Sequence, residues 1–283
     1  MSQKLYEDIY SNERQFSFGE NWASYLEHFS QERLEEAKAS IQNLTQLTSL
    51  NGIKFLDIGC GSGLFSMAAH LLGAEVVSID VDTSSINCCI SLRDKLKIPS
   101  DQWKIIQGSA LDPSFIDSLD QFDIVYSWGV LHHTGDMWKA IQCASTRVKP
   151  DALFILALYN KTDPLWIYSG WKIIKIVYNK SPDFLRNILI HLYSIMFLIL
   201  RFKLNIFKFN AYKKDYLQNR GMHYLHDVID WLGGYPYEVA SEEEMKMWSN
   251  DNDMKLIRSN LVPPTESGCN EFVMKKHPHQ TST

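Results

Sequence analysis

The chain has 283 residues, 45% hydrophobic, 12% aromatic and 22% charged, a balance that excludes a disordered or fibrous protein and, at ~150 residues per domain, suits one large domain or a domain with an insertion. A formal net charge of −5 supplies no whole-molecule positive field, so a dedicated nucleic-acid binder is not expected. Cys60, Cys88, Cys89, Cys143 and Cys269 are odd in number and form no CxxC pair, and the N-terminus MSQKLYEDIY has no apolar run; a reducing, cytoplasmic setting without a thiolate metal site is expected.

In chain order, residues 1–50 are predicted to be helical, because Leu34, Ala37, Ile41, Leu44 and Leu47 recur at three- and four-residue spacings. Ahead of that helix, Phe16-Ser17-Phe18-Gly19-Glu20-Asn21-Trp22 is aromatic and glycine-hinged. It suits a lid over a ligand, with Trp22 as a contact, or a packing anchor. From Gly52 short apolar runs alternate with helix-length segments. Strands are predicted at 54–58, 75–80, 103–107, 122–127 and 152–158, and helices at 64–72, 83–96 and 136–148. Strands separated by such helices make βαβ units and a parallel sheet covered on both faces.

The rhythm stops after Tyr159. Residues 161–237, rich in aromatic and basic groups, are predicted to insert two or three helices. Within them Ile188–Leu200 lies between Arg186 and Arg201 and contains His191. That run is shorter than the ~20 apolar residues of a spanning helix, so no transmembrane segment is expected. A buried helix is predicted, with peripheral lipid contact through 184–202 as the alternative. Ser241 followed by Glu244 has capping-box spacing. Met254–Leu261 and Cys269–Lys276 read as two closing strands, and 277–283 as a tail. The expected architecture is an α/β, doubly wound, seven-stranded, mostly parallel sheet. It has an N-terminal helical segment (1–50), a sheet domain from 51–160 and 238–276, and a helical insertion (161–237) before the last two strands.

The strongest chemical signal is Phe55-Leu56-Asp57-Ile58-Gly59-Cys60-Gly61-Ser62-Gly63, between a predicted strand and a predicted helix. Glycines at alternate positions let backbone approach a ligand at a helix N-terminus. The spacing is GxGxG rather than the GxGxxG of dinucleotide binders, and Asp57 precedes it. An amino-bearing ligand is favoured over a pyrophosphate. The next strand ends in Asp80, a carboxylate able to accept both hydroxyls of a ribose.

These motifs resemble the class I S-adenosylmethionine-dependent methyltransferases, small-molecule type, and the resemblance implies a Rossmann-like methyltransferase fold. It implies that Asp57 and the loop of Gly59, Cys60, Gly61 and Gly63 hold the methionine moiety of S-adenosyl-L-methionine. Asp80 would take the ribose, Val81 would pack on adenine, and Ser109 and Ala110 would sit at the adenine edge. Many members carry an acidic residue where Ser109 stands, so the adenine amino group is expected to meet Ser109 or Asp112. Ser127-Trp128-Gly129-Val130-Leu131-His132-His133-Thr134 resembles the fourth motif, which adds Ser127 and Trp128 to the cofactor wall.

Methyl transfer to a hydroxyl calls for a base, and His133 is the candidate, with a titration expected at ~6–7. His132 would shape the acceptor pocket. The segment from Arg220 to Glu238 is too polar for a core and too aromatic for a plain loop, so His223, His226, Asp227, Asp230 and Tyr235 are read as a substrate wall. His226, Asp227 and Asp230 share one face of a helix; the set suits a sugar diol or an amine and matches no recognised metal site. The expected function is methyl transfer to a hydroxyl or amine of a small molecule, glycan-, lipid- or isoprenoid-linked. The basic residues of 161–220 keep an RNA methyltransferase as an alternative, and a non-catalytic cofactor-binding scaffold is a second. Oligomeric state is left open.

Overall fold

The computed structural model describes residues 31–162, 164–212 and 224–278. Trp22, with its proposed lid, and His223 lie outside the described residues, as does the side chain of His226. The first helix, α1 (Gln31–Thr45), is followed by β1 (Lys54–Ile58), α2 (Leu64–Leu71), β2 (Glu75–Asp80), α3 (Thr83–Lys95), β3 (Trp103–Gln107), α4 (Pro113–Asp117) and β4 (Phe122–Trp128). After a 3-10 turn at Leu131–His133 come α5 (Met137–Ser145) and β5 (Val148–Tyr159).

These strands form a seven-stranded sheet in the order β3-β2-β1-β4-β5-β7-β6, closed by β6 (Met254–Asn260) and β7 (Cys269–Lys276). β1 to β5 run parallel and β7 lies antiparallel between β5 and β6. The parallel part arises because each strand needs a helical crossover to return to the same edge; the last pair needs only the turn 261–268. β1 is buried along Phe55–Ile58, as expected of a central strand covered on both faces. One face buries Leu34, Ile41, Met67 and Leu92 from α1, α2 and α3. The other buries Ile116, Ala140 and Ile141 from α4 and α5, with Met245 from α9 (Glu242–Asp251). The capping box that starts α9 is formed: Glu244 N–H donates to Ser241 Oγ at 3.2 Å, and Ser241 N–H donates to Glu244 Oε2 at 2.8 Å.

The insertion contains α6 (Leu165–Lys180), α7 (Asp183–Phe202), a helical stretch at 206–212 and α8 (Tyr224–Gly233). It has its own small core of Tyr178, Ile190, Phe209, Tyr224, Val228 and Leu232. The prediction of a short, buried helix at 188–200 is corrected. α7 is 20 residues long, ~30 Å at 1.5 Å per residue. By length and composition it suffices to cross a membrane, and only 6% of its most apolar window is buried. Arg186 does not end the apolar run, because its guanidinium turns away from solvent. Its Nε and Nη2 donate to the carbonyls of Tyr178 and Asn179 at 3.2 and 2.9 Å, capping the C-terminus of α6.

Candidate active site

In a doubly wound sheet the crevice opens where strand order reverses, at the carboxyl ends of the strands. Here that point is β1, between β2 and β4. A cavity of about 990 Å³ occupies it. Its near end is lined by Gly59, Cys60, Gly61 and Ser62, then by Asp80, Val81 and Asp82, then by Gly108, Ser109, Ala110 and Leu111.

The loop after β1 has no room for side chains at Gly59 and Gly63. Gly59 has φ +76°, and a Cβ there would lie 2.3 Å from Val130 Cγ1; Gly63 has φ +83°, and its Cβ would meet Cys89 Sγ at 2.7 Å. The loop is tied to the next strand by Gly61 N–H, which donates to Asp80 Oδ2 at 3.0 Å, while Asp82 N–H donates to Oδ1 at 2.9 Å. The Asp80 carboxylate is thus oriented at the cavity wall, and burial raises its pKa. Gly59–Ser62, Asp80 and Gly108–Leu111 line one cavity at the carboxyl ends of β1, β2 and β3, as an amino-acid head, a ribose and an adenine would require. The residues present therefore fit S-adenosylmethionine.

Several sequence-predicted contacts stand elsewhere. Asp57 does not line the cavity. It is buried and accepts a 2.5 Å hydrogen bond from Ser66 Oγ; Ser66 Oγ in turn lies 2.6 Å from Ser78 Oγ, which accepts Trp103 Nε1–H at 2.7 Å. This chain pins α2 and β3 to the central strands, and burial raises the Asp57 pKa to about 7. Gly63 lies one step behind the wall as the N-cap of α2. Ser127 is buried and donates to Ile58 O at 2.9 Å. Asp112, offered for adenine, caps α4 by accepting from Ser114 and Phe115 N–H. Trp128 does line the cavity; its indole stacks on Phe65 at 6.1 Å and donates to Glu271 Oε1 at 2.9 Å.

The two histidines separate sharply. His132 is buried beneath the cavity wall. Its Nδ1 accepts Tyr159 N–H at 3.2 Å, and burial holds its pKa well below the imidazole range; it is a structural residue and not an acceptor contact. His133 lines the cavity. Its Nδ1 lies 2.6 Å from the carbonyl oxygen of Pro236, which can only accept, so the neutral ring carries its proton on Nδ1 and presents Nε2 as an acceptor. Burial lowers its pKa to about 3. The titration expected near 6–7 is therefore corrected, because the pocket that exposes this ring to ligand removes the water that would stabilise its charge.

The far end of the cavity is lined by Tyr159 from β5, Trp171 from α6, Tyr193 and Phe197 from α7, and Asp227, Asp230 and Trp231 from α8. Tyr235 lies outside this wall, half-buried before Pro236. Ser267, Gly268 and Cys269 approach from the last hairpin. Tyr193 and Phe197 escaped the sequence reading, although their four-residue spacing inside an aliphatic run was a usable signal. Lys175 escaped it as well. It is fully buried, donates from Nζ to the Trp231 carbonyl, and lies 4.2 Å and 4.8 Å from the ring centroids of Trp231 and Tyr237. Gly234 completes the arrangement, since a Cβ there would approach His133 Cε1 to 2.9 Å.

Residues 56–156 match the methyltransferase-domain family. The ubiquinone biosynthesis O-methyltransferases of Rhodopseudomonas palustris (strain HaA2) and Brucella melitensis biotype 1 are each 30% identical, over 120 and 113 residues. Those spans are 42% and 40% of this chain and 45% and 44% of the relatives, so the match extends over less than half of either protein's length. Among solved structures, the magnesium protoporphyrin IX methyltransferase of Synechocystis PCC 6803, with bound S-adenosylhomocysteine, has a TM-score of 0.52. Its identity is 13%, with coverage of 86% of this chain and 83% of that one. A SAM-dependent methyltransferase from Methanosarcina mazei has a TM-score of 0.51 at 15% identity, covering 84% and 98%. With the loop, the oriented carboxylate and the strand order already described, these matches identify residues 56–156 as a methyltransferase domain on the fold that the solved methyltransferases share.

Proposed function

We propose that the protein transfers a methyl group from S-adenosylmethionine to a hydroxyl of a small aromatic or amphiphilic molecule. The observation that carries this reading is the continuity of the cavity. It runs from Gly59–Ser62 and Asp80 past Trp128 and His133 to Trp171, Phe197, Asp227 and Asp230. Cofactor and acceptor can therefore lie end to end in one mostly apolar space. The relatives named O-methyltransferases support oxygen as the acceptor atom.

S-adenosylmethionine, when bound, supplies an electrophilic methyl on a sulfonium. The chain's own residues bind and orient. The backbone of Gly59–Ser62 holds the amino-acid head, and Asp80 accepts the ribose hydroxyls with the lone pairs not used by Gly61 and Asp82. Trp128 and Tyr159 exclude water beside the reacting carbon, and alignment in such a space accounts for much of the barrier lowering. His133 Nε2 accepts the acceptor's hydroxyl proton as a hydrogen bond and so aims the oxygen. A ring with a pKa of about 3 is a weak proton sink, so the hydroxyl proton passes to solvent as the methyl arrives, which favours an acidic hydroxyl such as a phenol. Asp227 and Asp230 set negative charge on the far wall, which disfavours an RNA backbone there.

Incubation with radiolabelled S-adenosylmethionine and a panel of phenols, catechols, alcohols, amines and total RNA tests the reading. Label should enter a phenol or catechol. Substituting Asp227 or Asp230 by Asn should lower turnover and leave S-adenosylhomocysteine affinity near native. Label entering RNA alone, or cofactor affinity lost in step with turnover in those variants, would overturn it.

A further inference from the structure

α7 carries two stripes of opposite character. Its inner stripe is largely aromatic: Tyr193 and Phe197 pack against Trp171 and Tyr224 and line the cavity, and Ile190 is buried. Its outer stripe is Phe184, Ile188, Leu192, Ile195 and Ile199, at three- and four-residue spacings, with exposures of 65, 48, 57, 51 and 46%. α6 also exposes Trp166 and Ile173, the turn after α7 exposes Leu204, and the helical stretch at 206–212 exposes Phe207, the last by 85%. Single exposed apolar residues are ordinary; a contiguous face of this extent marks an interaction surface.

The charge around the face is equally uneven. From 164 to 212 the sequence has Lys172, Lys175, Lys180, Arg186, Arg201, Lys203 and Lys208 against Asp183 alone, a net +6 in a chain whose total is −5. Lys172, Lys180, Arg201, Lys203 and Lys208 are exposed. An aliphatic stripe flanked by lysine and arginine is the pattern of a helix lying in a membrane interface.

We infer that the α6–α7 face docks on the surface of an anionic phospholipid bilayer, with α7 in the interface plane, Ile188, Leu192 and Ile195 in the acyl boundary, and the surrounding cations at the headgroups. A spanning placement of α7 would strip its inner stripe from α8 and open the cavity wall. A nucleic acid would match the cations and leave the aliphatic stripe in water. A second copy would bury the stripe and crowd the same cations against one another. Docking does not depend on the reaction. Its consequence does: Tyr193 and Phe197 back the docked face, so the acceptor end of the cavity would face the bilayer, as an amphiphilic acceptor needs.

The full chain is sedimented with preformed vesicles of phosphatidylcholine alone or of equimolar phosphatidylcholine and phosphatidylglycerol. Binding should be at least ~10-fold tighter to the anionic vesicles and should weaken with salt. Leu192→Glu with Ile195→Glu should abolish it, and Lys203→Glu with Lys208→Glu should remove the preference for anionic lipid. S-adenosylhomocysteine binding by calorimetry reports whether each variant is folded. Native-like binding of both variants to the vesicles would overturn the inference. So would no vesicle binding by a folded chain, or a dimer dissolved by Ile195→Glu in a protein indifferent to vesicles. If the native chain binds vesicles but no S-adenosylhomocysteine, the cofactor reading fails and the docking stands.

Discussion

His133 shows how one side chain's role turns on its surroundings. The Pro236 carbonyl fixes its tautomer and burial lowers its pKa to about 3. Its folded value lies below that of the unfolded chain, so the stability it contributes is present above pH ~6.5 and is lost as pH falls towards 3. Turnover should accordingly show no limb at pH 6–7 that disappears in His133→Ala. Stopped-flow or single-turnover rates from pH 5.5 to 8.5, measured for both proteins, check this; a limb present only in the native protein would restore the base. Asp57 is shifted the other way, from 3.8 to about 7, first by burial. Between those values the folded state binds a proton that the unfolded state has released, so stability falls as pH rises through the window. At ~1.4 kcal/mol per unit this is worth a few kcal/mol. Asp57→Asn keeps an acceptor for Ser66 and removes the charge. Denaturant titrations at pH 5 and pH 8 should differ clearly for the native protein and much less for the variant. Equal slopes would mean that Asp57 ionises freely.

At the scale of elements, a buried lysine lies where the insertion meets the sheet. Lys175 on α6 donates to Trp231 O on α8 and lies among Trp231, Tyr237 and, at 5.9 Å, Tyr159 of β5. Burial lowers its pKa from 10.5 to about 7. From pH 7 to 10.5 the unfolded chain holds a proton that the folded one does not, so this contribution to stability grows with pH and is lost as pH falls through 7. Lys175→Met should flatten the rise in melting temperature between pH 7 and 9.5, and should also cut turnover, because α6 and α8 carry Trp171, Asp227 and Asp230. A variant with native turnover and a native pH slope would show that the lysine is not the clasp. Elements were legible in the sequence to different degrees. β1, β2, β3 and β7 have the predicted bounds, since each is a compact apolar run between turn residues. The short α4 was not predicted, because five residues carry no helical period; it exists through the Asp112 cap and Pro113 at its start.

For the whole molecule, cofactor binding should be read directly in thermal stability. A ligand that binds only the folded state adds ~2.7 kcal/mol at 100 times its Kd. S-adenosylhomocysteine at such a concentration should raise the melting temperature by several degrees, whereas NADH should leave it unchanged; the reverse order would contradict the GxGxG reading. Asp80→Ala should reduce the S-adenosylhomocysteine shift, since it removes the ribose acceptor and frees the loop amides of Gly61 and Asp82, a loss of ~1–3 kcal/mol in affinity. By itself the sequence determined the sheet, the crossover helices, the glycine loop and the carboxylate that ends β2. These depend on local periodicity and on residues a few positions apart, which a linear reading can see. Only the tertiary structure decided which of two adjacent histidines faces the cavity, that Asp57 stands behind the loop, and that α7 turns an aromatic stripe inward and an aliphatic one out. Those outcomes depend on what packs against each side chain from a distant part of the chain, and burial, more than residue type, sets the charge and the task of a titratable group.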